Sequence, residues 1–342
     1  MPTEQGNTGE PAARARGVQH TYPGAVMALA GVDLDLKQGE LTALVGANGA
    51  DKSTLLRILS GILPPGAGQV WVLGCEQPGR APPRVVRALR ARVGYVPQEP
   101  ALDPEMTGRE LLELFAVLHG VPRAGRRRQM EALAEAFGTA EHLDRRVDTY
   151  SGGLRRRLHL AAGMIHDPDL LLLDEPGAGL DPSGEAFLWA ELGQRARRGR
   201  AVVVVTHELA AVEREAHTAV VLARGKVLAA GAPRELIARH GQTTVRLAVE
   251  RSPESRAALE RIATEFSASL DAPEGTGNWS LTVRGDEGPR GLLLALAGLG
   301  NLLREVEVRA PSLASAYAAL TGTPHPSANG RRDAQARRGG HA

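Results

Sequence analysis

Apolar and polar positions follow three different rhythms along this chain. From Gly17 to Glu40, short apolar pieces (Gly17–Thr21, Val26–Leu29, Val32–Leu36) are separated by Pro23-Gly24 and Gly31, the punctuation of an antiparallel sheet. Leu41–Val45 then carries no charge and predicts a buried strand, and a glycine turn follows. Lys52-Ser53-Thr54 opens a helical run over Leu55–Leu59. Gly68–Gly74 and Val93–Val96 predict further strands, the second running into Pro97-Gln98-Glu99-Pro100.

Between about 101 and 165 the rhythm becomes helical. Thr107 and Glu110 have capping-box spacing ahead of Leu111–Leu118, and Gly120 and Pro122 end that helix. Gln129–Phe137 and Leu154–Ile165 follow, the latter behind Tyr150-Ser151-Gly152-Gly153. A parallel α/β pattern then returns. The apolar strand Leu170–Leu173 ends in Asp174-Glu175-Pro176, and a helix spans Pro182–Arg198. The β-branched strand Ala201–Val205 ends in Thr206-His207-Glu208, and Thr218–Ala223 pairs with Lys226–Ala230 around Arg224-Gly225.

Past Gln242 the reading is strand Thr243–Val249, helix Pro253–Phe266, and strands near Ser267–Leu270 and Asn278–Val283. Helix Gly288–Leu299, strand Arg304–Arg309 and helix Ser312–Leu320 complete it. That βαββαβ order predicts a small ferredoxin-like unit. The expected organisation is a first domain over 17–240, with a helical subdomain at about 101–165, and a C-terminal α+β domain over 242–322. Polar, Gly/Pro-containing ends at 1–16 and 323–342 are expected to be disordered.

Composition narrows the class. With 342 residues, 23% charged and a net charge of +2, the chain reads as globular with room for two cores. The triple arginines Arg126–Arg128 and Arg155–Arg157 fit solvated helix faces, and 3% aromatics leaves little for base stacking, so no nucleic-acid partner is expected. Cys75 is the single cysteine, which fits a reducing compartment. The N-terminus has no apolar segment of signal-peptide type, and no apolar run approaches the ~20 residues that cross a bilayer. The chain is therefore expected in the cytoplasm, reaching a membrane only through a partner.

The candidate chemistry starts at residues 46–54, GANGADKST. Strand, glycine turn and helix with Lys-Ser at the join make a phosphate-binding loop, except that Asp51 stands where the pattern requires glycine. Asp174-Glu175 at a strand's carboxyl end suits a Mg²⁺-holding acid followed by a base, although a plain turn explains such a pair taken singly. Ser151-Gly152-Gly153 is an anion site or an ordinary N-cap, and Gln98 and His207 are unremarkable alone.

Taken together and in order, Tyr22, GANGADKST, Gln98, YSGGLRRRLHLA from Tyr150, LLLLDEP ending at Pro176, GLDP at Gly179–Pro182 and VVVVTHE around His207 resemble the nucleotide-binding subunit of ABC transporters. The resemblance spans roughly Gly17 to His240, and YSGG-x-RRRL with PSLASAYAALTG (Pro311–Gly322) is most like the ABC-2 exporter branch. It implies an α/β P-loop NTPase cassette with a mixed sheet core, an antiparallel N-terminal sheet and a helical subdomain. ATP and Mg²⁺ are the implied cofactors. A homodimer or heterodimer of ATP-binding subunits and an integral-membrane permease are the implied partners, with the chain on the inner face of the cell membrane.

Residue by residue, the resemblance implies that Tyr22 stacks on adenine and that the loop Gly46, Asn48, Gly49, Ala50, Asp51, Lys52, Ser53 and Thr54 cradles the phosphates. Ser53, Gln98 and Asp174 serve Mg²⁺, Glu175 is the general base, and His207 holds the γ-phosphate. Ser151, Gly152 and Gly153 reach the nucleotide of the opposite subunit, and Asp181 lies at the dimer seam. Leu114, Phe115 and Leu118, on the helix after Gln98, are candidates for the permease contact, or core residues of that helix.

Asp51 is the departure with consequences. At ~4 Å and an effective dielectric of ~20, one like-charge contact with a phosphate costs about 4 kcal/mol. The alternatives are an ATPase that powers an exporter and a degenerate, weakly binding regulatory subunit. A soluble member acting on ribosomes or DNA is expected to carry two cassettes or a coiled-coil insertion, which this sequence lacks.

Overall fold

The computed structural model describes residues 10–24, 26–250, 252–271, 278–284 and 290–323, and the chain divides into two compact units on either side of residues 230 and 231. The disorder expected for 1–9 and 324–342 lies outside the described residues.

The first unit opens on the antiparallel strands β1 (Ala13–Tyr22) and β2 (Val26–Leu36). Residues 13–16 were expected in a disordered leader. They are strand because Ala13 and Ala15 are fully buried and pair with Leu36 and Leu34. Gly31 does not separate two strands as expected. It takes φ 96° where the register jumps from Val18↔Val32 to Gln19↔Ala30, a bulge inside one continuous strand.

β3 (Leu41–Val45) leads through the glycine turn into α1 (Lys52–Leu59). β4 (Ala67–Val72) and β5 (Cys75–Glu76) complete a four-stranded sheet in the order β2-β1-β4-β5. α2 (Pro83–Arg90), which buries only Leu89, precedes β6 (Val93–Val96). α3 (Gly108–Leu118), α4 (Arg123–Ala136) and α5 (Gly152–Met164) form the helical segment. The capping box closes as the spacing predicts, Glu110 N–H donating to Thr107 Oγ1 at 3.2 Å and Thr107 N–H to Glu110 Oε2 at 2.8 Å.

β7 (Leu170–Asp174), α6 (Pro182–Arg197), β8 (Ala201–Thr206), α7 (Leu209–Glu215), β9 (Thr218–Ala223) and β10 (Lys226–Gly231) follow. The central sheet runs β10-β9-β3-β8-β7-β6, with the five strands from β9 to β6 mutually parallel. Every residue of β3, β7 and β8 is buried. Both faces of the sheet are covered, which is why these strands read LTALV, LLLLD and AVVVVT instead of alternating.

The second unit contains α8 (Pro233–His240), β11 (Gln242–Val249), α9 (Pro253–Glu265), β12 (Ser269–Asp271), β13 (Asn278–Arg284), α10 (Arg290–Ala297), β14 (Leu303–Arg309) and α11 (Leu313–Thr321). Its antiparallel sheet has the order β12-β13-β11-β14, the ferredoxin-like arrangement, and Val245, Leu247, Leu259, Leu281 and Leu292 form its core. The sequence placed the start of this part at 242; α8 also belongs to it, packed on α11.

One close approach fixes β6 against the helical segment. A Cβ on Gly94 would lie 2.7 Å from the Gly163 carbonyl oxygen of α5 and 2.9 Å from Pro168 Cγ. Gly94→Ala is therefore expected to cost about 1–3 kcal/mol, as overpacked cores do. A lower urea midpoint with an unchanged m-value is the expected reading, and a midpoint equal to wild type would contradict the contact.

Candidate functional site

Parallel strands open their carboxyl ends on one edge, and here four of them meet there. Val45 is in register with Thr206, Asp174 with Val205, and Leu173 with Val96, so the segments that follow β3, β8, β7 and β6 lie side by side. Asn48, Gly49, Asp51, Lys52, Ser53 and Thr54 line one wall of a cavity of about 290 Å³; Gln98, Asp174 and Glu175 line the other.

The loop's shape follows from two constraints. Gly46 leaves β3 so close to β9 that a Cβ would stand 2.4 Å from the Leu222 carbonyl oxygen. Lys52 is 6% exposed, and its Nζ donates to the carbonyls of Gly46 (2.8 Å) and Ala47 (2.9 Å), holding the turn closed, while Ala50 N–H returns to Ala47 O. Burial lowers the Lys52 pKa, and the charges of Glu175, Asp174 and Asp51 oppose that shift.

Asp51 takes φ 61°, ψ 29° at the start of α1 and makes no side-chain cap. The position does demand a left-handed residue, and Asp is among the few L-residues that visit this region. The substitution therefore keeps the loop and places a carboxyl in the cavity wall, where burial raises its pKa. Tyr22 stands beside the cavity, its Oη 3.2 Å from Thr54 Oγ1.

Asp174 is 2% exposed, and its Oδ1 is buried with no hydrogen-bond partner among the described residues. An orphaned carboxylate oxygen facing a polar cavity fits a bound cation, with the Ser53 hydroxyl in the same lining. Among the described residues no group of three or more His, Cys, Asp or Glu is placed to hold a metal ion, so such a cation would need oxygen ligands from elsewhere.

Glu175 follows at φ 47°, its N–H bonded to Val205 O at 2.9 Å. Its Oε2 lies 2.8 Å from His207 Nδ1. When Glu175 is ionised its carboxylate only accepts, and in that state the His207 Nδ1–H is the donor. Burial raises the Glu175 pKa, and His207 and Lys52 hold it back. His207 reaches the cavity only through Glu175, and its side chain is half exposed.

Ser151, Gly152 and Gly153 are not brought to this cavity. Ser151 caps α5, accepting from Leu154 N–H at 3.2 Å, and with Gly153, Leu154, Arg157 and Asp181 it lines a separate pocket of about 360 Å³. Asp181 caps α6 and pairs with Arg157 at 2.7 Å; bonds from Ser183 and Arg157 lower its pKa.

The run Arg155–Arg157 corrects the reading of a solvated face. Arg155 is exposed, but Arg156 is 3% exposed and bonds to the strand ends beneath it. The signal was present: helical spacing puts Arg156 in line with Leu160 and Gly163, both buried.

Comparison with known proteins agrees with the geometry. A family model described as ABC transporter matches residues 29–178. The daunorubicin resistance ATP-binding protein DrrA3 of Streptomyces coeruleorubidus is 35% identical over 309 residues, 90% of this chain and 94% of that protein. Nod factor export ATP-binding protein I of Paraburkholderia xenovorans is 40% identical over 208 residues, 61% of this chain and 67% of that protein. Among solved structures, an ATP-binding subunit of an ABC transporter superposes with a TM-score of 0.61 at 27% identity, covering 66% of this chain and 91% of its own. A dimeric bacterial ABC transporter cassette shares the fold at a TM-score of 0.60 and 24% identity, over 64% and 98% of the two chains.

The Glu175–His207 contact has a measurable signature. Removing the imidazole in His207→Ala takes away an interaction that lowers the Glu175 pKa, so the midpoint moves further above the ordinary carboxyl value. Carboxyl ¹³C shifts followed against pH should show that upward move, and an unchanged or lower midpoint would refute it.

Proposed function

The chain belongs to the ABC transporter family, and from that premise we propose that it is the ATP-binding and ATP-hydrolysing subunit that powers an integral-membrane exporter. One observation carries the reading: the buried Lys52 ammonium, the orphaned Asp174 oxygen and the Glu175–His207 pair converge on one cavity behind a glycine turn. In this reading the backbone N–H groups of 48–54 and Lys52 hold the phosphates, and Tyr22 stacks on the base. Ser53, Asp174 and Gln98 hold Mg²⁺, which neutralises phosphate charge when bound. Glu175, its pKa raised toward the working range of a general base, takes the proton of the attacking water. His207 orients Glu175 through the Nδ1 bond.

Ser151 and Gly153 line a different pocket of the same chain and Gly152 lies between them, so their contact with nucleotide needs a second ATP-binding subunit, identical or not, closing over the cavity. Leu114, Val117 and Leu118 on α3 are 41%, 52% and 69% exposed, an apolar patch downstream of Gln98 that suits the permease. Phe115 is partly buried against His119 and is not part of that patch. No helix among the described residues is long and apolar enough to cross a membrane, and in this reading the permease holds the chain at the inner membrane face.

Asp51 weakens nucleotide binding without abolishing the site: the left-handed turn survives, and the cost is negative charge beside the phosphates. In fluorescent-nucleotide titrations Asp51→Gly is expected to tighten ATP binding by about tenfold or more. Lowering the pH toward the raised Asp51 pKa should tighten wild type more than Asp51→Gly. Equal affinities for the two proteins would remove the role given to Asp51. Glu175→Gln should retain binding and lose turnover by about 10²–10⁴-fold, and a variant that hydrolyses ATP at the wild-type rate would defeat the reading.

A further inference from the structure

Arg156 is buried and makes five hydrogen bonds to backbone carbonyls, and nothing in the reading above uses it. Its guanidinium has five N–H donors. Nε donates to Pro176 O at 3.1 Å, Nη1 to Pro97 O at 3.0 Å and Gln98 O at 2.8 Å, and Nη2 to Asp174 O at 3.0 Å and Glu175 O at 2.6 Å. Five donors meet five backbone carbonyls, and no carboxylate side chain takes part.

That arrangement is costly as a stability device, since burial disfavours the charge and only the nearby Asp174 and Glu175 carboxylates offset it. The other polar neighbour, His159 Nδ1 at 3.5 Å, belongs to a buried imidazole whose pKa falls to about 4, so it adds no charge. What the fork does is join three pieces of chain. The Pro97-Gln98 segment leaves β6, the Asp174-Glu175-Pro176 turn leaves β7, and α5 starts at Ser151-Gly152-Gly153 only one turn before Arg156. Glu175 sits at φ 47°, a left-handed conformation that L-residues other than Asn and Asp rarely adopt. Its N–H is held by Val205 and its carbonyl by Arg156 and Ala178, so the strained turn is tied from both sides.

We propose that Arg156 is a positioning residue for hydrolysis: it fixes the Glu175 carboxylate and the Gln98 segment relative to each other and to the start of α5. It touches no nucleotide. Closure of a second subunit onto Ser151–Gly153 is then transmitted through one side chain to the two segments that handle the attacking water. The inference rests on the reading of Glu175 and Gln98 given above. It implies a division of labour, because the phosphate-gripping loop makes none of the five bonds: loss of Arg156 should spare nucleotide affinity and reduce turnover.

The test compares the Asp51→Gly parent with Arg156→Lys, Arg156→Gln and Glu175→Gln made in that background, all as full-length chains, so that nucleotide affinity does not limit the assay. Far-UV circular dichroism and a thermal melt establish folding, fluorescent-nucleotide titration gives Kd, and steady-state phosphate release gives kcat and KM. Lysine keeps the charge but has three donors for five carbonyls. Arg156→Lys is expected to bind ATP within about threefold of its parent and to lose kcat by about 10²-fold, the scale of a misplacement near 1 Å. Arg156→Gln should lose at least as much.

A folded Arg156→Lys that keeps kcat within threefold overturns the proposal. So does one that loses binding and turnover together, and so does failure of both Arg156 variants to fold, since each makes the role structural. If Glu175→Gln also hydrolyses at the parent rate, the general-base reading has failed and this inference falls with it; a Glu175→Gln loss beside an unaffected Arg156→Lys sinks this inference alone.

Discussion

The parallel register of β3, β8, β7 and β6 is the constraint on which the first unit depends. Parallel strands share a polarity, so the residues that follow them emerge on one edge whatever their distance along the chain. Gln98 and His207 are separated by more than a hundred positions, yet β6, β7 and β8 deliver their segments side by side because Leu173 pairs with Val96 and Asp174 with Val205. The register is held in turn by burial on both faces: a slip would move Leu170–Leu173 and Val202–Val205 out of the layers that cover them.

Around that edge, charge is handled by enclosure. Lys52 and Arg156 are buried cations whose hydrogen bonds go to backbone carbonyls, while the carboxylates of Asp174 and Glu175 supply the compensating charge from a distance. Cations placed this way hold the loops in shape through their own bonds to the backbone. Two non-glycine residues in the left-handed region, Asp51 and Glu175, sit on opposite walls of the same cavity. Strain of this kind persists where the surroundings over-determine it, and both positions are held by a helix start or a strand end.

The second unit is built on a different principle. Its antiparallel sheet buries a single face, so β11 alternates, with Thr243, Val245, Leu247 and Val249 inward. Ser312 and Ser315 form a capping box at the start of α11, and the Ser315 hydroxyl also accepts from Gln242 N–H at 3.0 Å. One short segment thereby sets both the helix start and the first strand of the unit.

The amino-acid sequence by itself determined the buried strands of the central sheet and their parallel class. LTALV, LLLLD and AVVVVT can only be doubly covered strands, and the capping box at Thr107 is legible from two residues. The ordered series from Tyr22 to His207 contains Gln98, Asp174, Glu175 and the loop residues that line the cavity, but Ser151–Gly153 and Asp181, members of the same series, lie away from it. What it could not determine were properties that depend on neighbours remote in the chain. Gly31 reads as a break and is a bulge, because the partner strand supplies the missing register. A triple arginine reads as a charged surface, and only the docking of α5 onto the ends of β6 and β7 turns its middle member into a buried clamp. Asp51 shows the division most plainly. Its identity warned of negative charge at a position the pattern gives to glycine, but that the loop keeps its left-handed turn with an aspartate there, at φ 61°, is seen only in the folded chain.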